Sequence, residues 1–135
     1  MEQQNIEPEN YTILVVDDIY DNILLLNTVL SRAKYKVISA TRGAEALEKI
    51  NITNPDLILL DVMMPDIDGF EVLRRIKEDP EHRNIPVVML TALHNDDDAI
   101  EADNIGAADY ITKPFKTDEL LERVNRQIRL ITEKQ

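Results

Sequence analysis

The stretch ILVVDD, residues 13–18, runs four apolar residues directly into two adjacent carboxylates. A continuous apolar run, with no polar alternation, is what a strand buried on both faces of a parallel sheet requires. The acids that end it need a different account. Like charges side by side repel, and burial disfavours the ionised form of each. The stretch therefore sets a strand inside a sheet and leaves, at its carboxyl end, a negative cluster in need of a partner.

Similar apolar runs recur along the chain. They are TILVV at Thr12–Val16, VISA at Val37–Ala40, LILL at Leu57–Leu60, VVML at Val87–Leu90 and the short Tyr110–Ile111. Helical spacing fills the intervals. Ile23, Leu26, Leu30 and Ala33 mark a first helix, with Asp21 or Asn22 to serve its N-terminus. Ala46, Leu47 and Ile50 mark a second, and Phe70, Leu73, Ile76 and Lys77 a third. Asp96–Ile105 is a sparse fourth that ends at Gly106 as a C-terminal cap. Leu120, Leu121, Val124, Ile128 and Ile131 line one stripe of the last helix, with Asp118 and Glu119 at the positive end of its dipole. Strand–helix alternation repeated in this way predicts an α/β fold: a doubly wound parallel sheet with right-handed crossovers and helices on both faces. Residues 1–10, polar and acidic, are expected to form a loose tail before a single domain at 11–135, and Thr132–Gln135 to fray.

Composition removes several function classes. The 135 residues suffice for one sizeable core, and 44% hydrophobic with 30% charged residues is a globular balance. There are no cysteines, so disulfides, thiolate metal sites and thiol catalysis are out. The net charge of −11 would repel a phosphate backbone, so nucleic acid is not an expected partner. No apolar run approaches the roughly 20 residues of a membrane span, and the N-terminus lacks the basic and apolar regions of a signal peptide. The expected compartment is the cytoplasm. Three glycines, at 43, 69 and 106, form no glycine-rich phosphate loop.

In an open α/β sheet the functional crevice lies outside the carboxyl ends of the strands. Asp17 and Asp18 end the first strand, Asp61 the third and Thr91 the fourth, and Lys113 follows the fifth. Singly, each has a plain structural account: an aspartate caps a helix or opens the turn before Pro65, and a lone threonine or lysine means nothing. Jointly they suggest phosphoryl chemistry. A hard divalent cation such as Mg²⁺ neutralises clustered carboxylates and takes oxygen ligands. A carboxylate facing it can act as the nucleophile toward a phosphoryl group. The metal and an ammonium then offset charge on the phosphoryl oxygens, one of which a hydroxyl can bond.

These residues resemble the receiver domains of two-component response regulators, similar to the single-domain chemotaxis type. The resemblance runs from about Tyr11 to about Ile131. It rests on ILVVDD at 13–18, LILLDVMMPDIDGFEVL at 57–73, VVMLTA at 87–92 and GAADYITKPF at 106–115, in that order and spacing. It implies a flavodoxin-like (βα)5 sandwich with a five-stranded sheet in the order 2-1-3-4-5. It implies that Asp61 is the phosphoacceptor, and that Asp18 binds Mg²⁺ (or Mn²⁺) directly while Asp17 does so mainly through water. The metal site would also include Asp61 and the backbone carbonyl of Met63. Thr91 and Lys113 would hold the phosphoryl group, Tyr110 would be the aromatic switch coupled to Thr91, and the Lys113–Pro114 bond would be cis. The phosphodonor would be a phosphohistidine on a histidine kinase or histidine phosphotransfer protein. The domain would catalyse only its own phosphorylation and dephosphorylation. The output would be a protein effector meeting the surface of helix 4, strand 5 and helix 5, with the chain a monomer or a phosphorylation-linked dimer; charged residues such as Asp103 and Arg123 either serve that dimer or are simply solvated.

Two alternatives remain at this point. One is a receiver-like binding module that is never phosphorylated. The other is an aspartyl-phosphate phosphatase of the haloacid-dehalogenase type, although such enzymes put the nucleophile on the first strand with a second aspartate two residues on, where Met63 stands here. His82 and His94 fall among polar residues and are expected to be solvated. Ile19 stands where many receivers carry a further acid.

Met63 and Leu93 each lie two residues past a site residue, Asp61 and Thr91. Apolar side chains there would obstruct the water that hydrolyses an aspartyl phosphate, so the phosphorylated form is expected to be long-lived. Polar replacements at both positions should shorten its lifetime, measured by intact mass against time; an unchanged decay would refute the assignment.

Overall fold

The computed structural model describes residues 7–91 and 96–133. Five parallel strands form one sheet in the order β2-β1-β3-β4-β5. The strands are β1 (Thr12–Val16), β2 (Lys36–Ala40), β3 (Leu57–Asp61), β4 (Val87–Thr91) and β5 (Asp109–Thr112). They alternate with α1 (Tyr20–Arg32), α2 (Gly43–Thr53), α3 (Gly69–Glu78), α4 (Asp96–Ile105) and α5 (Thr117–Glu133). The doubly wound sheet is as expected.

The pleat divides the core into two layers. Ile13 and Val15, with Leu57, Leu59, Val88 and Leu90, face α1 and α5. Leu14 and Val16, with Ile58, Leu60, Val87 and Met89, face α2, α3 and α4. Each run is therefore apolar at every position because both of its faces are covered. A fully buried Leu, Ile or Val contributes about 1.5–3 kcal/mol, and the inner strands are where that burial concentrates. Four strands are longer than their apolar runs, β5 at both of its ends. Asp61 is carried by pairing opposite Leu90, Thr91 by pairing opposite Thr112, and Lys36 opens β2 opposite Thr12. Main-chain bonding thus extends the sheet through polar residues and fixes two site residues as strand positions rather than loop positions.

The ends of several elements differ from expectation. α1 begins at Tyr20, with Ile19 in the capping position and no side-chain cap. The reason is that Asp17 Oδ1 accepts the Ile19 N–H at 3.0 Å and leads the chain straight into the helix, which leaves Asp21 in the first turn. Gly106 ends α4 as expected: its φ of +119° suits glycine, and its N–H reaches the Ala102 carbonyl at 3.1 Å. At the N-terminus, residues 1–6 lie outside the described residues, while Pro8–Asn10 form a 3-10 turn. Tyr11 follows, its hydroxyl 2.7 Å from Thr132 Oγ1. Thr132 is therefore helical and bonded rather than frayed; residues 134–135 lie outside the described residues.

His82 overturns the expectation of a solvated imidazole: only 2% of it is exposed. Its Nδ1 is 2.7 Å from Asp79 Oδ2 and its Nε2 is 2.9 Å from Asn54 Oδ1. The polar loop between α3 and β4 folds back onto the left-handed residue that ends α2, and the ring is enclosed between them. His94 lies outside the described residues.

Candidate functional site

Three carboxylates meet at the carboxyl edge of the sheet. Each of Asp17, Asp18 and Asp61 offers an oxygen such that all three lie within 4.8 Å of one another. Asp17 is fully buried and Asp61 nearly so, whereas Asp18 is exposed. The Asp17 backbone N–H still bonds the Ala40 carbonyl at 3.1 Å, so β1 holds this side chain rigidly at its end. Lys113 supplies the opposing charge. Its Nζ is 2.8 Å from Asp17 Oδ2 and 3.5 Å from Asp61 Oδ1. The lysine follows β5, and its N–H bonds the Thr91 carbonyl at 2.6 Å, so the end of β4 sets where the ammonium stem starts. The Lys113–Pro114 peptide is cis, as expected.

The electrostatics follow from this crowding. Burial is the main cause that pushes the Asp61 carboxyl from an ordinary 3.8 up to about 6; Asp17 and Asp18 add to it, while Lys113 and the Met63 N–H oppose it. A single ammonium does not offset the set. A further hard cation, bound by oxygen ligands, is what such a donor set accommodates. The side chains present fit a Mg²⁺ ion, with an exposed acid at the solvent side and two buried acids behind it.

Thr91 is fully buried at the end of β4. Its side chain hydrogen-bonds that of Tyr110 on β5; burial first and then the charge of Asp98 raise the Tyr110 phenol above its ordinary value, and the Thr91 bond opposes them. Leu93, expected beside the phosphoryl path, lies outside the described residues. Met63 extends an exposed side chain from the loop after β3.

The sequence analysis missed how that loop is anchored. Asp66 spans the N-terminus of α2, its Oδ1 accepting the Gly43 N–H and its Oδ2 the Ala44 N–H, both at 3.0 Å. Those backbone bonds hold its carboxyl down at about 2. Asp68 caps α3 through the Glu71 N–H at 2.9 Å. Gly69 presses on the end of β3: its N–H bonds the Val62 carbonyl at 2.7 Å, and a Cβ there would sit 2.3 Å from the Asp61 carbonyl oxygen. The D-x-x-E spacing at 68–71 was the available signal, for the cap of α3. Arg123 is also not simply solvated, since its guanidinium is 2.6 Å from Asp109 Oδ1.

Comparison with known proteins agrees with this geometry. A family model described as the response regulator receiver domain matches residues 13–125. The chain is 48% identical over 112 residues to the response regulator PleD of Caulobacter vibrioides, covering 83% of this chain and 25% of PleD. It is 38% identical over 121 residues to the sporulation initiation phosphotransferase F of Bacillus subtilis, covering 90% of this chain and 96% of that protein. A crystal structure of a CheY-like response regulator receiver domain protein from Methanospirillum hungatei superposes with a TM-score of 0.87 at 26% identity, over 93% of this chain and 98% of that one. The chain thus spans a quarter of one relative and nearly all of another.

Two outcomes follow for the site. Because folding raises the Asp61 carboxyl from 3.8 to about 6, its protonated form stabilises the fold. That contribution is full below pH 3.8 and lost as pH rises through about 6. In chelator, Asp61→Asn should therefore be more stable than the parent at neutral pH, by about 1–3 kcal/mol, with the difference vanishing in acid. Urea unfolding at both pH values checks this, and a pH-independent difference would sink it. Gly69→Ala should lower the thermal midpoint and shift the Asp61 backbone amide resonance, since the new methyl must displace the Asp61–Val62 backbone.

Proposed function

The chain belongs to the response regulator receiver family, and from that premise we propose that it is a phosphorylation-operated switch with Asp61 as the acceptor. Receiver domains are signalling modules that histidine kinases or phosphotransfer proteins phosphorylate. The observation that carries the reading is the Asp61 carboxylate itself, held at a strand end beside two further acids and 3.5 Å from the Lys113 ammonium. An oxygen of Asp61 attacks the phosphorus of a donor phosphohistidine. The new P–O bond forms as the P–N bond breaks, and the electron pair leaves with the imidazole. Asp17, Asp18, Asp61 and the Met63 carbonyl are the groups that would hold Mg²⁺, which supplies charge neutralisation to the phosphoryl oxygens. Lys113 would exchange part of its attachment to Asp17 for a phosphoryl oxygen, and the Thr91 hydroxyl would leave Tyr110 for another. Tyr110 is then free to take a second position, which alters the face formed by α4, β5 and α5.

The surroundings suit a protein donor. Ile19 at the cap of α1, Tyr20, Leu24 and Leu25 on α1 and Met63 in the loop after β3 are large exposed apolar side chains. A cleft of about 280 Å³ runs from Leu25 and Asn22 to Lys113, Pro114 and Phe115. Exposed apolar side chains beside a cleft suit the docking of a protein. The phosphatase alternative has less support, because Met63 offers no carboxylate where those enzymes carry their second aspartate.

The test is intact mass after incubation with acetyl phosphate. One phosphoryl group should be gained with Mg²⁺, none in Asp61→Asn and none in chelator. Steady hydrolysis of a phosphate ester would revive the phosphatase, and no adduct from any donor would favour the unphosphorylated binding module.

A further inference from the structure

A second cleft, of about 450 Å³, opens at the opposite edge of the sheet. Pro86 and Ala108, which line it, immediately precede β4 and β5. The acidic rim lies at the other ends of the same strands, roughly 13 Å away along β4 at the usual rise per residue. The volume falls in the range of small-molecule sites.

Three polar side chains bring hydrogen-bond donors to this cleft. Lys77 lays its stem against Gly106 and is half-buried, and its ammonium donates only to the neutral carbonyls of Arg83 (2.9 Å) and Ile85 (3.1 Å). Burial alone lowers its ordinary value, with no carboxylate to oppose it. Two of its three N–H donors are used, so one remains. Gln127 on α5 is 7% exposed, yet its amide hydrogen-bonds no described residue. Arg83, exposed at the mouth, pairs with no described carboxylate. This occurs on a chain of net charge −11, in which acids are the residues in surplus. Buried polar groups and charges are ordinarily partnered. Beside these donors the wall is apolar, formed by Pro86, Leu130 and Ile131.

We propose that this cleft binds a small amphiphilic anion, with a carboxylate or phosphate head between Lys77, Arg83 and Gln127 and a short apolar chain along Leu130 and Ile131. Two cations and a side-chain amide line the cleft, and the adjoining wall is apolar. Lys77 plays a double part: through the Arg83 and Ile85 carbonyls it shapes the loop that carries Arg83, and it aims its remaining proton at the head group. The site is independent of Asp61 phosphorylation.

The experiment is a titration of the ¹⁵N-labelled full chain, followed by NMR with side-chain amides included, using hexanoate, hexyl phosphate and hexanol. One or both anions should give saturable shifts at Gln127, Arg83 and Ile131, and which of them saturates identifies the head group; hexanol should not saturate. Arg83→Gln, a surface change that leaves the fold intact, should weaken binding about tenfold, as loss of one ionic hydrogen bond implies. Gln127→Leu should weaken it similarly, and Asp61→Asn should leave it unchanged. Absence of saturation by either anion, equal binding of hexanol, or unaltered affinity in Arg83→Gln would overturn the proposal.

Discussion

Everything at the working edge of this molecule depends on keeping carboxylates of like charge in a place where water is scarce. Asp17 is fully buried and Asp61 nearly so, and they share one ammonium, that of Lys113. Such an arrangement is costly in isolation, because desolvation and mutual repulsion act in the same direction. The cost is visible in the Asp61 carboxyl, pushed up to about 6. A site under that tension responds strongly to any added positive charge and to any change in what Lys113 holds. The raised carboxyl and the electrostatic strain of the resting site are two views of the same crowding.

The fold supports this crowding through main-chain bonding. Strand pairing carries β3 through Asp61 and β4 through Thr91, so neither residue swings on a loop. The loop after β3 is tied at both ends, by Asp66 at the start of α2 and by Asp68 and Gly69 at the start of α3. The Lys113 N–H is tied to the Thr91 carbonyl. The starting points of the Asp61, Thr91 and Lys113 side chains are therefore set by neighbouring backbone. The coupling outward runs through softer contacts: Thr91 with Tyr110, and Arg123 with Asp109, of which the Oδ2 has no hydrogen-bond partner among the described residues.

The two edges of the sheet differ in what covers them. At the carboxyl edge, acids are enclosed by an exposed apolar border on α1 and the β3–α3 loop. At the amino edge, the loop between α3 and β4 is packed down by buried His82 and by Lys77, and it borders a cleft with donors in excess. Three carboxylates gather at the carboxyl edge, while Lys77 and Arg83 line the cleft at the amino edge.

The sheet and the segments that form it are legible from the amino-acid order alone. Runs such as LILL and VVML are apolar at every position because both faces are covered, and period alone reveals that. That order also shows which chemistry-bearing residues share an edge, since a strand's last residue is legible once the strand is. Local polarity misled where tertiary contact decides burial. His82 looks solvated among Glu81, Arg83 and Asn84, and only the return of its loop onto Asn54 encloses it. Asp66 looks like one more surface acid, and only the approach of α2 makes it an anchor. Gly69 gives no hint of strain in its own sequence context, since the atoms that exclude a side chain belong to the Asp61–Val62 backbone that the fold brings against it. Periodicity is a property of a segment and survives in the sequence. Burial of a polar group is a property of what packs against it, and that is decided only when distant segments meet.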